Sequence, residues 1–140
     1  MAPAENNSES LLVRARRAAE RAHCPYSNFH VGAAVRCDDG SVIDGCNVEN
    51  ASYGLSICAE RVALFTAISQ GKQPIELAVS CIDAQSDAAT GSRMPCGACR
   101  QVMQELLPSK AKVSIDGIGS LSLDQLLPKP FQLDQTSIKQ

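Results

Sequence analysis

The chain's 140 residues are the size of one ordinary domain, and an apolar share of 44% suffices for a buried core. A formal charge of −2 with no Lys/Arg block argues against nucleic acid as a partner. No apolar run nears the roughly 18 residues that cross a bilayer, which argues against a membrane partner as well.

The first ten residues are polar and lack the apolar stretch of a secretory leader, so a cytoplasmic location is expected, where thiols stay reduced. Residues 1–7 are expected to be loose. The domain division is a flexible N-terminal segment over 1–10 and a single domain over 11–140. Leu11, Leu12, Ala15, Ala18, Ala19 and Ala22 at helical spacing, behind a candidate N-cap at Ser8, predict a first helix to about Ala22. Cys24-Pro25-Tyr26-Ser27-Asn28 breaks it, because proline and the residue before it disfavour helix. Strands follow at about 31–37 and 42–47, joined through a turn at Asp38-Asp39-Gly40-Ser41. After a loop of small residues over 50–56, a helical pattern runs from Cys58 to Ser69 and stops at Gly71. A dense apolar strand is expected at 75–82, a polar loop at 83–93, and a third helix from Cys96 to Leu107, stopped by Pro108. Two strands around Asp116-Gly117, at 112–115 and 118–123, and a short helical stretch at 123–127 complete the order α-β-β-α-β-α-β-β-α. That order suggests a sheet sandwiched between helices.

Seven cysteines, an odd number, cannot all pair within one chain, so metal binding or catalysis is expected of the clustered ones. Cys58 opens one predicted helix, and Cys96 and Cys99 open another. Helix N-termini carry unpaired N–H groups that favour thiolates. Cys-x-x-Cys lets two sulfurs reach one tetrahedral Zn²⁺, with Cys58 as a third ligand from the facing helix. No fourth ligand has helpful spacing, since His23 and His30 fall elsewhere. Three ligands and an open position describe a catalytic zinc, whose bound water is acidified to a pKa of about 7.

Glu60 lies two residues after Cys58, a helical offset of roughly 200° that makes it a poor co-ligand. It can still overhang the open position and carry the water's proton to a leaving group. Arg61 is expected to donate toward the sulfurs. Taken singly, the features have ordinary readings: Cys-x-x-Cys as a redox pair or half a structural zinc site, Glu60 as a solvated helix residue. Cys24, Cys37, Cys46 and Cys81 are read as buried or half-buried small hydrophobes, with Cys81 in the core. The combination of C-x-E at 58–60 with P-C-x-x-C at 95–99 outweighs those readings.

The segments CPYSNFHVGAAV (24–35), GCNVENASYGLSICAER (45–61), MPCGACRQVM (94–103) and LLPKPF (126–131), in this order, closely resemble the small homotetrameric zinc-dependent cytidine deaminases. The resemblance implies an α/β fold, a three-layer α-β-α sandwich with a mixed five-stranded sheet. It implies hydrolytic deamination of cytidine and 2′-deoxycytidine in pyrimidine salvage, with one zinc per subunit and no organic cofactor. It makes Cys58, Cys96 and Cys99 the metal ligands, Glu60 the proton shuttle, and Arg61 the cation beside the sulfurs. Asn47 and Glu49 match the pair holding the ribose 3′-hydroxyl, and Phe29 an aromatic lining the base pocket. Tyr53, in the loop 51–54, and Phe131 match residues that reach an adjoining subunit's site in a homotetramer with shared active sites. The backbone N–H of Ala59, at a helix start, is expected to hold the base carbonyl. Two departures stand out: Met94 where the family usually has Ser, and His30 where Pro is common. The alternatives are a deaminase of a modified nucleoside such as blasticidin S, a polynucleotide-editing deaminase, and a non-catalytic zinc module.

Overall fold

The computed structural model describes residues 8–134. At the centre of its sheet, β1 (Val31–Cys37) and β3 (Pro74–Cys81) run antiparallel side by side. Both strands carry apolar residues on both faces, and side-chain alternation decides which layer each residue meets. Ala33, Val35 and Cys37 pack with Leu64 of α2 (Ala59–Ser69) and Met103 of α3 (Gly97–Leu106). Ala34 and Ala78 face the other way, against Leu11 and Ala15 of α1 (Ser8–Ala19). The result is three layers, with α1 below the sheet and α2 and α3 above it.

β2 (Val42–Cys46) pairs antiparallel with β1, β4 (Lys112–Ile115) parallel with β3, and β5 (Gly119–Ser122) antiparallel with β4. The mixed five-stranded sheet therefore has the order β2-β1-β3-β4-β5. The short α4 (Leu123–Leu126) adds Leu123 and Leu126 to the upper core. All nine elements have the type and order expected from the sequence.

Glycine sets how closely the layers approach. A Cβ on Gly32 would lie 1.9 Å from the Ala15 carbonyl oxygen, and one on Gly45 2.6 Å from the Ala63 nitrogen. Only glycine admits α1 and α2 to the sheet at these neighbouring rungs.

Several boundaries differ from expectation. The first helix ends at Ala19 rather than about Ala22. Residues 20–22 close tight turns on Arg17, Ala18 and Ala19, and His23 then leaves to bond with Asn47 and Glu49. α1 includes Ser8–Ser10, and residues 1–7 and 135–140 lie outside the described residues. Cys58 and Cys96, expected inside their helices, are instead the N-caps. The loop over 50–56 holds one short 3-10 turn, Tyr53–Leu55, and the 83–93 loop another, Thr90–Arg93. Among the described residues no helix is long and apolar enough to cross a membrane.

Strand register gathers distant segments at one end of the sheet. Val31, at the start of β1, pairs with Cys81 at the end of β3. Asn47, just past β2, donates its N–H to the Val31 carbonyl at 3.1 Å. Segments 29–31, 47–49 and 79–81 therefore converge where α2 and α3 begin.

Candidate active site

Two loops deliver two helix starts to this end of the sheet. Cys58 caps α2 and Cys96 caps α3, both in extended conformation, and Cys99 lies one turn into α3 with no exposed surface. The three Sγ atoms lie within 4.8 Å of one another, with Cys58 and Cys96 3.9 Å apart. Tetrahedral zinc with bonds of about 2.3 Å places its sulfurs about 3.8 Å apart, so the Cys58–Cys96 pair stands at coordination spacing and Cys99 lies close enough to join it. No other cluster of three His, Cys, Asp or Glu side chains converges this way among the described residues. Cys58, Cys96 and Cys99 would hold a zinc here, three protein ligands of the kind a catalytic zinc uses.

The surroundings favour negative sulfur. Arg61 Nη2 donates to Cys58 Sγ at 3.4 Å, and the Cys99 N–H donates to Cys96 Sγ at 3.4 Å. The hydrogen bond from the Cys99 thiol, joined by Arg61, draws the Cys58 thiol down to about 5. That same bond, with burial, pushes Cys99 up. Two close sulfurs share one negative charge until a dication lets both ionise, so metal binding would release protons here. Arg61 Nε is buried without a hydrogen-bond partner, leaving the guanidinium one donor in reserve.

Glu60, the second residue of α2, is only 4% exposed. Burial, and secondarily the charge of Cys58, raises its carboxyl from 4.5 to about 7. It stays out of the sulfur cluster yet lines the same cleft as Cys58 and Cys96. The cleft encloses about 240 Å³. Ala59 lies beside Glu60, Phe29 and Val31 form one wall with Val79 and Cys81, and Asn47 and Glu49 stand toward Ser56 and Ile57.

Asn47 uses both ends of its amide on the wall itself. Its Oδ1 accepts from the Val31 N–H at 2.9 Å, and its Nδ2 donates to the Phe29 carbonyl at 2.9 Å. Glu49 is held ionised by Ser27, whose hydroxyl and N–H, with the Tyr26 N–H, keep its carboxyl below the usual range. Between them, Val48 points outward, so the alternate spacing read from the sequence puts both polar side chains on the cleft.

Tyr53 and Phe131 lie outside the main cleft of their own chain. Tyr53 is 75% exposed, with its ring edge-on to Tyr26 at 6.0 Å between centroids, and Phe131 is 69% exposed. The Phe131 carbonyl accepts from Gln101 Nε2 at 3.1 Å. Cys81, expected in the core, lines the cleft instead, because it ends β3 where the helices part. Ser92, Arg93 and Met94 also line it, although the 83–93 loop showed no candidate residue in the sequence. The His30 departure has a local partner, since Nδ1 and the backbone N–H both bond Asp83 Oδ2 at 2.7 Å.

A family profile described as the cytidine and deoxycytidylate deaminase zinc-binding region matches residues 5–115. The chain belongs to this family. A cytidine deaminase of Halalkalibacterium halodurans is 45% identical over 127 residues, spanning 88% of this chain and 92% of the relative. The crystal structure of cytidine deaminase from Burkholderia pseudomallei shares the fold with a TM-score of 0.79 at 43% identity, spanning 89% of this chain and 99% of that one. A blasticidin-S deaminase of Bacillus cereus is 30% identical over 111 residues, 75% of this chain and 79% of the relative.

Proposed function

We propose that this chain hydrolyses cytidine and 2′-deoxycytidine to the corresponding uridines and ammonia. The observation that carries this reading is a three-sulfur cluster beside a buried carboxyl that titrates near neutrality in an apolar-walled cleft. Zinc, when bound by Cys58, Cys96 and Cys99, supplies a Lewis acid that makes water nucleophilic near neutral pH. Glu60 accepts one proton from the attacking water and delivers it to ring N3, then takes the hydroxyl proton of the C4 adduct and passes it to the amine as the C4–N bond breaks and ammonia leaves. Arg61 offsets the charge on the sulfurs.

The Ala59 N–H is a first-turn donor with no partner inside the helix, and it holds the base carbonyl. Phe29 lies along the base. Asn47 and Glu49 offer a donor and an acceptor to the ribose 3′-hydroxyl. Exposed Tyr53, Leu55, Phe65, Ile68 and Phe131 support a homotetramer in which Tyr53 and Phe131 complete a neighbour's site. Seven free cysteines fit a reducing cytoplasm, and the reaction fits pyrimidine salvage.

The higher identity to a cytidine deaminase than to a blasticidin-S deaminase favours the common nucleosides. The charged residues lining the cleft are Glu49, Glu60 and Arg93, which is no track for a polynucleotide backbone. An ultraviolet assay on cytidine, deoxycytidine, their monophosphates and adenosine tests the proposal. Turnover of the first two is expected; conversion of the monophosphates or adenosine alone would overturn it.

A further inference from the structure

The carboxylate of Glu49 is gripped by the turn that precedes β1. The N–H groups of Tyr26 and Ser27 donate to Oε1 at 3.0 and 3.2 Å, and the Ser27 hydroxyl donates to Oε2 at 2.5 Å. A carboxylate offers about four lone-pair sites, so this turn fills three of them and leaves one. Bonds to both oxygens fix the rotation of the carboxylate plane. Glu49 lines the cleft, so the remaining acceptor site is the one a ligand would meet.

The Ser27 hydroxyl also accepts from the Phe29 N–H at 3.0 Å. That second bond is the ordinary serine turn, in which a hydroxyl caps the backbone two residues on. A turn of that kind needs only the acceptor half of the hydroxyl. Here the donor half goes to Glu49, and the same oxygen is tied to the backbone of Phe29, which lines the cleft. Asn28 takes the left-handed conformation, φ 56°, with its N–H on the Cys24 carbonyl at 2.8 Å. This holds the two halves of the turn in place.

We infer that Ser27 is a positioning residue for nucleoside recognition: its hydroxyl, shared between Glu49 Oε2 and the Phe29 N–H, aims the last acceptor site of Glu49 at a ribose hydroxyl. The inference rests on the reading of Glu49 as the ribose residue. It makes a prediction that reading alone does not, namely that a side chain with no substrate contact of its own governs selectivity for that hydroxyl.

The test compares cytidine with 3′-deoxycytidine in the zinc-loaded wild type and in Ser27→Ala, Ser27→Thr and Glu49→Gln. Loss of a hydrogen bond to a charged group predicts a roughly tenfold fall in kcat/KM on cytidine for Ser27→Ala, carried by KM. The fall on 3′-deoxycytidine should stay within about twofold, and Ser27→Thr should recover the cytidine value. Equal losses on both substrates would mark Ser27 as merely structural and overturn the inference, as would unchanged kinetics on cytidine. If Ser27→Ala loses zinc or melts early, Ser27→Cys, of similar size with a weak donor, carries the same expectations. A wild type that does not prefer cytidine removes the ribose role of Glu49 and this inference with it. A wild type that prefers cytidine, with the preference erased in Glu49→Gln but intact in Ser27→Ala, removes the Ser27 role alone.

Discussion

Replacing Glu60 with glutamine should slow turnover by orders of magnitude and at the same time stabilise the metal-stripped fold at neutral and alkaline pH. Burial raises the Glu60 carboxyl from 4.5 to about 7. At about 1.4 kcal/mol per pKa unit this displacement amounts to about 3 kcal/mol. Between those two pH values the folded chain holds the proton more tightly than the unfolded chain does. Wild-type stability from this group is therefore full below the lower value, falls as pH rises through the interval, and stays low above it. Glutamine does not titrate, so the variant should gain about 3 kcal/mol on the wild type between pH 4 and pH 8. Urea unfolding at both pH values on chelator-treated protein measures this, because a bound dication would favour the charged carboxylate and hide it. The activity half is read by ammonia release from the zinc-loaded variant, which should keep its metal and lose about 10²- to 10⁴-fold in rate. Turnover within about tenfold of wild type would refute the proton-carrier role. A stability difference that does not widen with pH would refute the electrostatic account of the site.

Cys99→Ala should bind no zinc at stoichiometry and release no ammonia; one zinc per chain by atomic absorption would contradict the ligand set. Gly32→Ala should cost about 3 kcal/mol in urea unfolding, because its Cβ would sit 1.9 Å from a backbone oxygen of α1 and force that helix off the sheet. A loss under about 1 kcal/mol would show that α1 is free to shift. Phe131→Ala removes a side chain that is 69% exposed within its own chain. It should leave the melting temperature unchanged while raising KM about tenfold through lost stacking on the base. An unchanged KM would discard its role in a neighbour's site.

Much of the fold was legible because chain breaks coincide with residues whose backbone demands them. Gly40, Gly71 and Gly117 all adopt positive φ at the ends of elements read from periodicity. The helix starts were misplaced by one residue because cysteine is not a usual N-cap, and nothing local says that Cys58 and Cys96 cap rather than begin their helices. The metal cluster was legible because its chemistry is written in short spacings. Cys81 was not, since an apolar strand reads as core along its whole length. Only the pairing of its last residue with Val31 shows that the strand ends in the cleft. In the sequence Ser27 shows only as part of a helix break, because its partner Glu49 lies 22 residues away and the bond needs the two segments that His23 joins to Asn47 and Glu49. Arg93 likewise gave no signal, and reaches the cleft because the loop after β3 must return to α3.

The caps of α2 and α3 stand 38 positions apart in the chain, yet their sulfurs nearly touch. An ion gripped by both is a removable stitch, tying off a long stretch of polypeptide much as a cystine bridge would while remaining compatible with a reducing milieu. Metal supply would then govern the lifetime of the polypeptide as well as its speed, and chains made during zinc starvation should be the first that proteases clear.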